Sequence, residues 1–230
     1  GPTIHYTYVV NNGGSQNLIH HYEDMTNIIS GAATGINVNS IFTVPNPWNI
    51  FLPRIATKNE NTSAPLLDAV AIVSEVTNGT QSHIISYTPS AGLFGLTSPS
   101  GFFNCVNTKP VITWTNCGEY VVAWDHTNTA CGSSLPGSNV LSTKLDASGA
   151  PTSLLQWVNF NTSGTQETPA LSGRYSPSNA TIVSYMDLSS NQLIYKGLSC
   201  AGSPFMREAE LTEMYHCYKY ILNLQVISLL

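Results

Sequence analysis

Charge is what this sequence has least of. Asp, Glu, Lys and Arg make up 9% of its 230 residues, against roughly 25% in an ordinary soluble domain. With only eight Lys and Arg and a net charge of −5, no cationic cluster is available to neutralise phosphates. That excludes a nucleic-acid partner and argues against an anionic membrane surface. Long apolar runs are missing too. No stretch reaches the roughly 18 residues of a transmembrane helix, and Tyr220 to Leu230 is broken by Asn223, Gln225 and Ser228, so no membrane insertion is expected. The five cysteines form no C-x-x-C pair and no His stands at finger spacing, so no metal or other cofactor is implied. A P-loop, a dinucleotide fingerprint and a Gly-x-Ser-x-Gly elbow are also absent.

In place of charge, Ser, Thr and Asn fill about 70 of the positions. Apolar content is 42%, enough for a core and too high for disorder driven by charge. Few lysines and many hydroxyl and amide side chains suit a secreted or cell-surface protein, where disulfides persist; with five cysteines, at least one is free or pairs with another chain. The sequons at Asn61, Asn78, Asn161 and Asn179 are no more than this much Ser and Thr produces by chance. The start, Gly1-Pro2, has no charged or apolar leader pattern and reads as a processed end.

The chain repeats itself. Three Pro-led apolar segments begin at Pro53, Pro110 and Pro169, spaced 57 and 59 residues apart. A β-branched pair with a small residue follows each: Ile72-Val73-Ser74, Val121-Val122-Ala123 and Ile182-Val183-Ser184. A third apolar segment then runs into a turn ending at Gly92, Gly149 or Gly202, the residue that takes positive φ without steric cost. A fourth segment is clearest at Thr152 to Val158. Ile4 to Val10 and Gln16 to Tyr22 match the second and third segments of an earlier copy that lacks its first. Periodicity within the segments is two, and Gly, Pro, Asn and Ser interrupt them every 8–12 residues or so, which predicts short strands. Four strands in a repeat of 50–60 residues or so is the pattern of a propeller blade.

Glu119-Tyr120-Val121-Val122-Ala123-Trp124-Asp125, continuing to Asp146-Ala147-Ser148-Gly149, resembles the blade repeat of secreted bacterial β-propellers. There a Tyr-x-Val-x-Trp-like second strand precedes a third strand ending in Asp-x-x-Gly. The resemblance implies an all-β fold, a β-propeller of about four recognisable blades that stands alone or belongs to a larger ring; a β-sandwich is the alternative. Residues 1–205 would form this repeat domain. Residues 206–230 differ, because charge returns at Arg207, Glu208, Glu210 and Glu213. Leu211, Met214, Tyr218, Ile221 and Leu222 fall at helical spacing there, predicting a short C-terminal helix; ring-closing strands over Tyr218 to Leu229 are the competing expectation.

Binding chemistry is expected on one face of the repeat. The middle copy carries an insertion over Thr127 to Ser138, and long loops on a rigid scaffold collect binding residues; the plainer account is a tolerated surface insertion. Strand alternation puts that loop on the face of the inter-copy linkers, including Phe102-Phe103-Asn104-Cys105, which predicts a Cys105–Cys131 bridge. Trp48, Phe102, Phe103 and Trp124, with the neighbouring Asp125 and His126, are the candidate ligand-binding residues, since uncharged polar loops with aromatics suit sugar hydroxyls and ring faces. For a glycosidase, which needs two carboxylates across the scissile bond, Asp125 and Asp187 are the only pair near strand ends, and they stand one position out of phase. His20 and His21, adjacent on a strand, point to opposite faces and make a poor metal site. The expected function is extracellular, non-catalytic binding of carbohydrate or of a surface protein. A propeller glycoside hydrolase or lyase and a self-associating structural surface or fibre component are the alternatives.

Overall fold

The computed structural model describes residues 3–32, 38–58, 70–89, 92–96, 106–115, 117–127, 137–152, 155–159, 164–172, 180–199 and 209–210. The protein is all-β, with its strands in four antiparallel sheets. Within each sheet, every strand pairs with the next one along the chain. Sheet 1 has three strands among the described residues, β1 (Thr3–Asn11), β2 (Ser15–Asp24) and β3 (Val38–Pro45), with a short helix, α1 (Met25–Ser30), after β2. Sheet 2 holds β4 (Asn49–Thr57), β5 (Val70–Thr77), β6 (Ser82–Thr88) and β7 (Gly92–Gly95). Sheet 3 holds β8 (Val106–Trp114), β9 (Tyr120–Thr127), β10 (Ser138–Leu145) and β11 (Gln156–Trp157). Sheet 4 holds β12 (Gln166–Ser172), β13 (Ala180–Asp187), β14 (Gln192–Ser199) and β15 (Ala209–Glu210).

Successive sheets pack face to face through three apolar clusters. Leu18 and Val44 of sheet 1 meet Ile50, Ile72, Val76 and Ile85 of sheet 2. From its other face, sheet 2 sends Ala71, Val73 and Ile84 against Tyr120, Val122, Trp124 and Leu141 of sheet 3. Sheet 3 in turn packs Val121, Ala123, Val140 and Val158 on Val183 and Tyr185 of sheet 4. This explains why β9 reads as an unbroken apolar run: odd and even positions alternate in direction, and both faces are covered.

The Pro-led segments mark a backbone device. β4, β8 and β12 each carry a bulge at a residue–proline pair, Leu52-Pro53, Lys109-Pro110 and Thr168-Pro169. At each bulge the residue before proline has positive φ, at 48°, 54° and 61° respectively. Two residues oppose one there, a place where the ladder does not need proline's missing N–H. The bulges set the register of the repeat: Glu75, Asp125 and Met186 all pair with the residue just before the bulge. Pairing by the β-branched residues, as the sequence suggests, slips sheet 2 by one position and hides the equivalence of Glu75 with Asp125.

The Asp-x-x-Gly turn is built as its residues predict. Asp146 accepts from the N–H groups of Ser148 and Ala150 at 2.8 and 3.0 Å, and Gly149 sits at φ 90°. At the start of the tail, Ala209 and Glu210 pair as a strand with Tyr195 and Ile194, while Leu211 to Leu222, whose spacing predicts the helix, lie outside the described residues. The open edge of β14 offers ladder hydrogen bonds that an isolated first helical turn lacks. The rest of the tail, the Thr127–Ser138 loop apart from its ends, and Phe102, Phe103, Cys105 and Cys131 lie outside the described residues. Cys117, in the turn between β8 and β9, takes part in a disulfide.

Candidate functional site

Between sheets 1 and 2, the β1–β2 hairpin and the segment joining β3 to β4 enclose a cavity of about 150 Å³. Its lining is Asn11, Gln16, Asn46, Asn49, Ser15 and Trp48, with Gly13 and Gly14 in the floor of the turn. No charged side chain lines it. The turn is held by Asn12 N–H donating to Ser15 O at 2.9 Å and by Gly13 N–H donating to Asn11 Oδ1 at 3.1 Å. Gly13, at φ 77°, supplies the left-handed backbone a tight hairpin requires. The second wall is tied on by Asn46 N–H to Gly14 O at 3.2 Å and Ile50 N–H to Gln16 Oε1 at 2.7 Å.

These bonds decide what the wall offers a ligand. Asn11 and Gln16 commit a carbonyl oxygen to the fold, which keeps their NH₂ groups as donors. Asn49 donates from Nδ2 to Pro47 O at 3.1 Å, which keeps its carbonyl oxygen as an acceptor. Trp48 stacks on His83 with ring centroids 5.7 Å apart, so its indole is braced from sheet 2. Burial holds His83 below its ordinary pKa, and it braces the indole as a neutral ring. The cavity therefore combines an aromatic face with uncharged donors and acceptors.

A second cluster joins sheets 2, 3 and 4 at the bulges. Glu75 Oε2 accepts from Lys109 N–H at 3.3 Å, and one sheet along, Asp125 Oδ1 accepts from Thr168 N–H at 2.7 Å. In both cases a carboxylate on the second strand of one sheet caps the bulge N–H of the next. Lys109 Nζ reaches Asp125 at 3.0 Å and Glu167 at 3.1 Å. Asp125 is 2% exposed. Burial pushes its pKa up to about 6, although Lys109 and Thr168 N–H pull the other way. Burial also raises Glu75, against the Lys109 N–H. Lys109 is pulled down by burial but held above its ordinary value by hydrogen bonds to Asp125 and Glu167.

Of the residues singled out from the sequence, Trp48 lines the cavity. Trp124 is fully buried between sheets 2 and 3, and its indole donates to Asn107 Oδ1 at 3.0 Å. His126, equally buried, meets the same oxygen at 2.8 Å. Their rings are core, tied to the neighbouring strand β8 of the same sheet; a ligand at the surface does not reach them. Asp125 and Asp187 share no partner among the described residues. Asp187 interacts with Gln166 at 3.4 Å and Ser189 N–H at 2.9 Å; burial works to raise its pKa, but these bonds hold it low. His20 and His21 do point to opposite faces, towards His5 at 3.1 Å and Tyr6 at 2.7 Å respectively. Among the described residues no group of three metal ligands occurs.

The carboxamides of the cavity and the Glu75–Lys109–Asp125–Glu167 cluster escape a search of the sequence. Asn46-Pro47-Trp48-Asn49 could have been noticed as an aromatic amid amides between two strands. The cluster had no such signal, because hairpins of unequal length separate its members. Neither a protein-family model nor a curated protein matches the chain.

Proposed function

We propose that the four sheets are blades of an extracellular propeller that binds a neutral carbohydrate, without catalysis, at the loop end where the cavity lies. The face-to-face packing of successive antiparallel meanders, one of three strands and three of four, supports the blade reading, since a two-sheet sandwich has no place for a third and fourth layer. What carries the binding reading is the cavity itself: Trp48 beside four carboxamides, with no charge. A sugar ring presents C–H groups on one face and hydroxyls on its rim, which such a wall can stack and hydrogen-bond. About 150 Å³ suits one terminal sugar unit rather than a long chain.

The bulge cluster contributes to this reading by what it lacks. Asp125 is sealed from solvent, with both oxygens engaged by Thr168 and Lys109. It serves the junction of sheets 3 and 4, and a glycosidase acid would need access to a leaving group. A glycan array probed with the wild-type chain and with Trp48→Ala tests the proposal. Loss of stacking and shape should weaken binding about tenfold or more, which corresponds to about 1.4 kcal/mol. Glycan binding that is indifferent to Trp48→Ala, or no binding to any neutral glycan, would contradict it.

A further inference from the structure

The β1–β2 hairpin lies on sheet 2 by one face. On β2 that face carries Gln16, Leu18 and His20 in alternation, a row that runs from the cavity wall through the apolar cluster to a fully buried imidazole. His20 Nε2 lies 3.1 Å from His5 Nδ1 of β1, and His20 Nδ1 has no hydrogen-bond partner. In the neutral pair His20 Nε2–H donates to His5 Nδ1, which puts the second proton on His5 Nε2 and leaves no buried N–H unsatisfied. A third proton has no place. Between the facing nitrogens it sets two N–H groups head-on, and on His20 Nδ1 it makes a buried donor without an acceptor.

No carboxylate faces the pair to offset the charge. On the hairpin, Tyr22 shares their face, whereas Tyr6, Tyr8, His21 and Glu23 alternate to the other, where His21 Nε2 is 3.9 Å from Glu23 Oε2. Asp24 is turned to α1, accepting from Thr26 N–H at 2.7 Å. Neither β3 nor α1 has a titratable side chain. Sheet 2 presents only His83 and Tyr87 on this side. Its charged groups belong to the side of sheet 3: Arg54 pairs with Val73, Glu75 meets Lys109 N–H, and Lys58 lies over Trp114. A proton on the pair is therefore uncompensated until water reaches it. Burial, with His5 and His21 adding to it, holds His20 down at about 4, and burial lowers His5 as well.

We propose that the cavity is acid-gated: a proton taken up by the His5–His20 pair lifts the β1–β2 hairpin off sheet 2, and the cavity wall formed by Asn11 to Gln16 goes with it. The opening is a property of the hairpin alone; its use, release of a bound sugar in acid, rests on the carbohydrate reading above. In the open state His20 titrates at its ordinary 6.5 and in the closed state near 4. Closure is therefore fully stable above about pH 7 and weakens as pH falls towards 4. From His20 alone, the ratio of open to closed rises about 20-fold between pH 7 and pH 5.

Two hydrogen bonds span the cavity walls, Ile50 N–H to Gln16 Oε1 and Asn46 N–H to Gly14 O, and exchange of these amides reads the opening directly. NMR-detected hydrogen exchange at pH 7, 6 and 5, corrected for intrinsic rates, should show their protection falling about 20-fold, while amides of β9 and β10 keep theirs. His20→Gln keeps a donor for His5 and does not titrate; it should cut the fall to about threefold or less. His20→Leu, matched to the apolar surroundings, serves as the second variant and should do the same. Protection at Ile50 and Asn46 that is flat in the wild type overturns the proposal, as do His20 ring C–H signals that titrate near 6.5. So does a full fall that persists in either variant, which moves the cause to His83. Because no glycan enters these measurements, a chain that opens in acid but binds no neutral glycan refutes the carbohydrate reading alone. A chain that binds glycan and stays closed at pH 5 refutes the acid gate alone.

Discussion

Replacing Asp125 by Asn isolates what it costs to keep a carboxylate at the junction of sheets 3 and 4. The side chain is 2% exposed, and its pKa rises from 3.8 to about 6 with burial as the main cause. In the folded protein the proton is held more tightly than in the unfolded chain. The contribution of this group to stability is therefore full below about pH 4 and is lost as pH rises to about 6. A rise of about two pH units corresponds to about 3 kcal/mol. Asn keeps an oxygen for Thr168 N–H, leaves Lys109 paired with Glu167 at 3.1 Å, and does not titrate. Urea unfolding of both proteins at several pH values from 4 to 7 should show the Asn variant gaining on the wild type by about 3 kcal/mol as pH rises. Some slope should remain in both proteins, because burial also raises Glu75. A difference that does not change with pH refutes the reasoning. A wild type that gains on the variant as pH rises would mean the Lys109 ion pair outweighs desolvation, against the balance expected for buried pairs.

Further outcomes follow from the same structure. Trp124→Ala should destabilise by about 3–5 kcal/mol through lost packing in the core between sheets 2 and 3, and chemical denaturation measures it. Leu52, at φ 48° and exposed, holds the bulge conformation against its own Cβ; Leu52→Gly should be neutral or stabilising by up to about 1 kcal/mol, whereas Leu52→Val should lower the melting temperature. Trp48→Ala also removes packing on the core between sheets 1 and 2 and should cost about 2–3 kcal/mol while weakening glycan binding, so a binding defect should appear in a chain that thermal melts show still folded; loss of binding only in unfolded chain would count against the cavity.

The repeat was legible because its markers are local. Proline at the bulges, glycine at the turns and two-residue alternation are set by backbone geometry, and each survives in the sequence at nearly constant spacing. The β1–β2 hairpin of sheet 1 could be seen for the same reason. Register across sheets was not legible: Glu75 and Asp125 occupy equivalent positions only once the bulges fix the pairing, and the first-to-second strand turns differ in length. Burial was misread at Trp124 and His126. Both look like surface aromatics at a strand end, yet Asn107 reaches across to satisfy the indole N–H and the imidazole, which lets polar-tipped rings sit in the core. At the tail, only the pairing of Ala209 and Glu210 on the open edge of β14 was hidden from the sequence, since a sheet edge exists only once the chain is folded.

The most direct test of the binding account is an NMR titration of the chain with neutral mono- and disaccharides, following side-chain N–H signals. The account predicts shifts concentrated on the Trp48 indole and the carboxamides of Asn11, Gln16, Asn46 and Asn49, with the sugar recovered intact. Shifts centred on Lys109, Asp125 and Glu167, or turnover of the sugar, would contradict it.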